Sequence, residues 1–343
     1  MPTPQTVFVT GASGFIAKHI LVRLLNAGIV VVGSVRNLDR QLEVIAAITP
    51  HLTNTENLND RLKFVALDLN ADTGWNDAMQ GADALLHTAS PFPMSQPKNE
   101  QDLIRPAVDG TRRALSAAQT AGINRVVMTS SIVAIMGREI APGKALTESD
   151  WTDIAHPSVT AYGKSKTQAE RAAWDFVAND APDMALTVIN PALVFGAPLD
   201  PHYGTSLKII ERILRAQDPM LPKVSFPIVD VQDVAEMHLR ALMYPGTDAR
   251  RFICADTSLW FTEIAEILKA DHPDRKIVTR KAPNFLIRLL AKFDPALRSI
   301  VPTLGIEVKL ANTRAKDIMD MKFTSSADAV RNAARYLIDN GHV

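Results

Sequence analysis

Thr10-Gly11-Ala12-Ser13-Gly14-Phe15-Ile16-Ala17 is the stretch on which the reading of this chain turns. It follows a short apolar, β-branched run, Thr6 to Thr10. It opens a segment, 15–27, in which Ile16, Ile20, Leu24 and Leu25 recur near one helical face. A strand that turns directly into a helix presents unpaired N–H groups and the positive end of the helix dipole, which suits a pyrophosphate. Gly11 permits the tight turn, Gly14 lets backbone approach the phosphates, and Ala17 lets the helix pack close to the sheet. Ser13, Phe15 and Ile16 complete the expected cradle. The spacing is Gly-x-x-Gly-x-x-Ala rather than Gly-x-Gly-x-x-Gly. A glycine-rich turn alone is only a tight loop; its place between a strand and a helix makes it a dinucleotide site.

Outward from this turn, strand-like and helix-like segments alternate. Residues 29–35, 62–67, 84–87, 126–130 and 186–190 read as buried strands, and 38–48, 102–121 and 162–179 as helices. Fully apolar strands alternating with helices predict an α/β fold: a Rossmann doubly wound parallel sheet covered on both faces. After Pro191 the texture changes, with prolines at 191, 198, 201, 219, 222 and 227. The boundaries expected are 1–190 for the nucleotide-binding domain and 191–228 plus 257–310 for a smaller C-terminal substrate-binding lobe. Residues 229–256 return to the main domain, with 311–325 a candidate second return. Residues 327–339 form a terminal helix.

Composition bounds the rest. The 343 residues are 47% apolar and 22% charged, ordinary for a globular chain that buries a sizeable core. Lys plus Arg and Asp plus Glu both number 37, so bulk charge gives no reason to expect a nucleic acid or an anionic membrane as partner. The one cysteine, Cys254, lies in an apolar run and reads as a small buried hydrophobe rather than a nucleophile. No signal-like opening and no run of about 18 uncharged apolar residues is visible, so a cytoplasmic protein is expected. Residues 285–293, with Arg288 and Lys292, read as an amphipathic surface helix. No metal is expected.

The second strand decides which dinucleotide. Sites for NAD usually end that strand in an acid that holds the ribose hydroxyls. Here Val30-Val31-Val32-Gly33-Ser34-Val35 ends in Arg36, and Arg40 follows. A guanidinium fork suits a phosphate, so NADPH/NADP+ is expected, with Arg36, and secondarily Arg40, on the 2′-phosphate. Asp68 and Leu69, at the end of the third strand, are placed beside the adenine.

Tyr162-Gly163-Lys164-Ser165-Lys166 puts Tyr162 and Lys166 at i and i+4, on one face of a helix. A free tyrosine has a pKa near 10, and a neighbouring ammonium lowers it. The strand 126–130 runs into Ser130 and Ser131 at the carboxyl edge, where a doubly wound sheet faces its cofactor. A serine there polarises a carbonyl. Hydride donor, proton donor, pKa modifier and oxyanion stabiliser thus stand in consistent order.

These residues resemble an extended short-chain dehydrogenase/reductase, in the branch of dihydroflavonol 4-reductase, cinnamoyl-CoA reductase and NADPH-dependent aldehyde and ketone reductases. The matching pieces are 10–17, Val35-Arg36, Asp68-Leu69, His87-Thr88-Ala89-Ser90-Pro91-Phe92, Thr129-Ser130-Ser131, 161–166, Asn190-Pro191-Ala192-Leu193-Val194-Phe195-Gly196 and 229–235. The resemblance implies a Ser–Tyr–Lys triad of Ser131 (or Ser130), Tyr162 and Lys166. It implies that Thr88, Ala89, Ser90 and Thr129 line the cofactor and that Pro191, Leu193 and Val194 flank the nicotinamide. A small-molecule carbonyl would sit by Ser131 and Tyr162, walled by Phe92, Pro93, Met94, Val133, Phe195, Tyr203, Ser206 and Phe226. It further allows a homodimer through helices near 100–121 and 162–180. Ile132-Val133-Ala134-Ile135-Met136 departs from the flavonoid enzymes, which are polar there, and favours a less polar ketone or aldehyde. The competing readings are a steroid dehydrogenase, an NAD-dependent nucleotide-sugar epimerase or dehydratase, and a non-catalytic NADP(H) sensor.

Overall fold

A computed structural model describes residues 3–91, 97, 99–141 and 143–343. Seven strands form one parallel sheet among them. In chain order these are β1 (Thr6–Thr10), β2 (Val30–Val35), β3 (Leu62–Ala66), β4 (Ala84–His87), β5 (Arg125–Thr129), β6 (Ala185–Pro191) and, after two strands of a second sheet, β9 (Arg250–Cys254). Their order across the sheet is β9-β6-β5-β4-β1-β2-β3. The order reverses between β1 and β4, which opens a crevice above their carboxyl ends. The central strands are apolar on both faces because helices cover both. On one side lie α1 (Phe15–Asn26), α2 (Gln41–Ile48) and α6 (Val231–Met243); on the other α3 (Gln101–Thr120) and α4 (Ala161–Asn179).

Helix ends follow local chemistry. Thr160 caps α4 by accepting from Gly163 N–H, and Gly122 (φ 75°) turns the chain after α3. Leu38–Arg40 is a 3₁₀ turn capped by Asn37, and the α-helix starts only at Gln41.

Past β6 the chain builds a second, three-stranded sheet. Here β7 (Leu193–Phe195) pairs parallel with β8 (Ser225–Asp230), and β8 pairs antiparallel with β10 (Ser258–Trp260). A separate core gathers α5 (Leu207–Leu214), α7 (Phe261–Asp271) and the terminal α8 (Ser326–Asp339) around Phe195, Ile210, Ile264 and Ala333. The segment expected at 285–293 is a helix at Asn284–Leu290, and Phe285 and Phe293 are its exposed apolar ends. Cys254 is fully buried at the end of the edge strand β9. No helix among the described residues is long and apolar enough to cross a membrane.

Candidate active site

At Gly11 the backbone adopts φ 67°, and a Cβ there would lie 3.0 Å from the Ala89 Cα. The position therefore excludes a side chain on two counts, conformation and space. Gly14 is the N-cap of α1, with no side chain closing the helix end, and a Cβ would meet the Gly11 carbonyl at 3.2 Å. The first N–H groups of α1 stay available to an anion. Ser13, Phe15 and Ile16 are all half-buried at this mouth. A cradle that a Cβ would fill, above an uncapped helix end, fits a dinucleotide diphosphate.

Thr10 holds the far wall. Its Oγ1 accepts from Thr88 N–H and Ala89 N–H, both at 3.0 Å, and faces His87 Nδ1 at 3.0 Å. With two donors on the oxygen, the hydroxyl hydrogen goes to Nδ1, and His87 carries its proton on Nε2. Burial pushes the His87 pKa down to about 3, so the ring is neutral. This pin places Ala89 against Gly11 and leaves Thr88 and Ser90 half-buried on either side of it. Sequence reading missed both Thr10 and His87. The signal was there, in two polar residues ending neighbouring buried strands.

At the other end of the crevice, Arg36 is exposed at the end of β2 with no partner among the described residues. Arg40 differs. Its guanidinium is held on Glu43, Nε to Oε2 at 3.1 Å and Nη2 to Oε1 at 2.7 Å. Asp68 accepts from Asn70, and Leu69 packs against Gly110 of α3. Both follow β3 rather than ending it. Lys18 of α1, buried, forms an ion pair with Asp200 and also reaches the His202 carbonyl at 3.4 Å. His202 Nδ1 stands 3.4 Å from Glu43. Together these contacts tie the loop 196–206 to α1 and α2.

The proton-transfer residues meet at the end of β5. Tyr162 is hydrogen-bonded to Ser131; burial pushes its phenol up to about 12, against the lowering effect of that bond. Lys166 Nζ donates to the Thr129 carbonyl at 3.2 Å, and burial brings its pKa down to about 8, opposed by the Glu170 carboxylate. The low tyrosine pKa expected beside an ammonium is thus not found: burial dominates, and only the Ser131 bond opposes it. Thr129 is itself fixed. His238 Nδ1 lies 2.7 Å from the Val234 carbonyl and so must donate to it, which leaves Nε2 to accept from the Thr129 hydroxyl at 2.7 Å. Ser130, the alternative serine, turns away and donates to Glu170 at 2.5 Å.

The expected substrate walls separate. Val133 is half-buried two residues past Ser131, and Phe226 is half-buried, edge-on to Phe261 at 5.7 Å. Tyr203 and Ser206 are half-buried, but the Tyr203 ring packs on His342 at 5.4 Å and Tyr336 at 6.3 Å. Phe195 is fully buried. It points into the core of the second lobe, so it lines no open cleft and that expectation is corrected. Pro191 and Val194 are buried and Leu193 half-buried, so Pro191 and Val194 have little side-chain surface to offer a ring. Phe92, Pro93 and Met94 lie outside the described residues.

With this geometry, the likeness to known proteins is specific. The model of the NAD dependent epimerase/dehydratase family matches residues 7–253. A ketoreductase of Aspergillus niger is 35% identical over 293 residues, 79% of this chain and 83% of its own. A cinnamoyl-CoA reductase of Arabidopsis thaliana is 30% identical over 345 residues, 100% of this chain and 92% of its own. Yeast methylglyoxal/isovaleraldehyde reductase, solved with NADPH, superposes with a TM-score of 0.81 at 26% identity, covering 98% of this chain and 100% of that one.

Proposed function

The chain belongs to the NAD dependent epimerase/dehydratase family, the extended short-chain dehydrogenases/reductases, and from that premise we infer that it is an NADPH-dependent carbonyl reductase taking a ketone or aldehyde to the alcohol. The observation that carries this reading is the Ser131–Tyr162 hydrogen bond at the carboxyl edge of the sheet, one helical turn from Lys166 and two strands along that edge from the Gly11 cradle. Bound NADPH supplies a hydride to the carbonyl carbon. Ser131 holds the carbonyl oxygen. Tyr162 gives that oxygen its phenolic proton, and Lys166 offsets the charge left on the ring. A phenol raised to about 12 stays protonated at neutral pH, loaded for reduction. The alkoxide forming on the substrate is a stronger base than the phenolate, so the transfer runs downhill.

Gly11, Ser13, Gly14, Phe15, Ile16, Thr88, Ala89 and Ser90 hold the diphosphate side in this reading. Arg36, free at the strand end, holds the 2′-phosphate. An acid there would favour the NAD of an epimerase. Val133, half-buried two residues past Ser131, favours an apolar carbonyl. The reading extends to a cytosolic enzyme and to a homodimer across the outer faces of α3 and α4.

Tyr162→Phe tests it. Turnover of NADPH with a carbonyl panel should fall about 10²–10⁴-fold, the usual worth of a positioned proton donor. NADPH affinity, read by nucleotide fluorescence, should hold within about twofold because the hydroxyl serves the proton step. A Tyr162→Phe enzyme that still turns over at the parent rate sinks the triad.

A further inference from the structure

Four residues beyond Lys166 on the same helix stands a carboxylate that the proton step does not use. Glu170 is fully buried, and Tyr162, Lys166 and Glu170 follow one another at i, i+4 and i+8, along one side of α4. Four donors converge on it. Oε2 takes the Ser130 hydroxyl at 2.5 Å and Asn190 Nδ2 at 2.8 Å. Oε1 takes Arg251 Nε at 2.5 Å and Trp174 Nε1 at 3.4 Å. Asn190 Nδ2 also donates to the Ser131 carbonyl at 3.2 Å. Arg251 goes on to the carbonyls of Glu148 and Asp150 and stacks over the Trp151 ring at 3.8 Å.

Building on the reductase reading above, we propose that Glu170 is a positioning residue for the reaction, holding Ser130 and Asn190 beneath the strand end so that Ser131 faces Tyr162, and setting the field at Lys166. Two serines stand side by side where β5 ends, and either hydroxyl could polarise a carbonyl. Glu170 resolves the choice by occupying Ser130. Through Asn190 it also fixes the peptide that carries Ser131. Its charge acts on the third member: Lys166 is a buried ammonium, and Glu170 is the group that opposes the loss of its proton. The simpler alternative is a strut. In that case the Glu170–Arg251 pair only ties α4 to β9. A buried ion pair is a poor strut, since apolar replacements of both partners are often neutral in stability.

The two roles part on the ionisation of Lys166. It can be followed in the cofactor-free protein by the ¹³C shift of labelled lysine ε-carbons, the Lys166 resonance being the one lost in Lys166→Arg. In Glu170→Gln the midpoint should fall by at least about half a pH unit, and the alkaline limb of kcat should move down with it. Glu170→Asp keeps the charge and should restore both. Because Glu170→Gln strands Arg251, the double variant Glu170→Gln/Arg251→Met removes both charges and keeps the fold testable. It should show the same downward shift at nearly parental Tm. An unmoved Lys166 midpoint in any folded variant lacking the Glu170 charge, whatever its Tm, overturns the proposal. The triad itself stands or falls separately, on Tyr162→Phe.

Discussion

The hydroxyl of Thr10 does more for the site than any glycine of the loop. It is fully buried, and among the described residues it alone satisfies the N–H groups of Thr88 and Ala89. Thr10→Val keeps the shape and removes the acceptor, leaving two part-buried donors unpaired. The expected cost is about 2–6 kcal/mol in urea unfolding, from roughly 1–3 for each stranded donor. NADPH should bind at least several-fold more weakly, since Ala89 would no longer be held against Gly11. Unchanged stability would mean that water replaces the threonine. At this scale much of the site was legible: Gly11, Tyr162 and Lys166 announce themselves by type and spacing. Glu170, Asn190 and Arg251 did not, because their meaning lies in contacts across 20 to 81 residues of chain. Arg40 has a competing partner that the spacing also shows. Glu43 stands three residues on, and an i,i+3 pair on a helix start competes for the same guanidinium.

Elements explain how the lobe stays on the nucleotide domain. The loop 196–206 leaves β7 through Gly196 (φ 99°), packs Gly204 against Phe15, and is pinned by the Lys18–Asp200 pair inside the protein. Breaking such a pair from one side leaves the other charge buried, and Asp200 Oδ2 already lacks a partner among the described residues. Lys18→Met should therefore cost about 3–5 kcal/mol and expose the loop to protease. Lys18→Met/Asp200→Asn should recover most of that loss. A double variant as unstable as the single one would mean that packing, not charge, holds the loop. The alternation of strands and helices to Pro191 was readable because each strand is a continuous apolar run between turns. Beyond Pro191 it was not. The strands Leu193–Phe195 and Ser258–Trp260 have three residues each, too few to show which side faces inward, and so Phe195 was taken for a wall.

The whole molecule answers to pH through its buried rings. Burial lowers His19 and His87 to about 3 and His238 to about 4, against an unfolded value near 6.5. A histidine depressed in the fold contributes stability that is fully present above about 6.5 and is lost as pH falls toward its folded value. Each costs about 1.4 kcal/mol per pH unit in that window. Asp233 runs the other way. Burial raises it to about 6, so its cost above that pH is relieved on acidification. Unfolding between about pH 6 and 4 should then take up about two protons, three from histidines less one from Asp233. Urea midpoints that stay level from pH 7 to 4.5 would contradict the burial of these rings. One more buried group opens a different use. Cys254, the single thiol, sits at the end of the outermost strand, and its pKa is raised well above normal by burial. To a thiol reagent the folded protein should be silent, and the unfolded one should react once. The rate of that single event is a clock for the fraying of β9 from Pro191, and ticks that slow when NADPH is added would time the docking of cofactor without any substrate in hand.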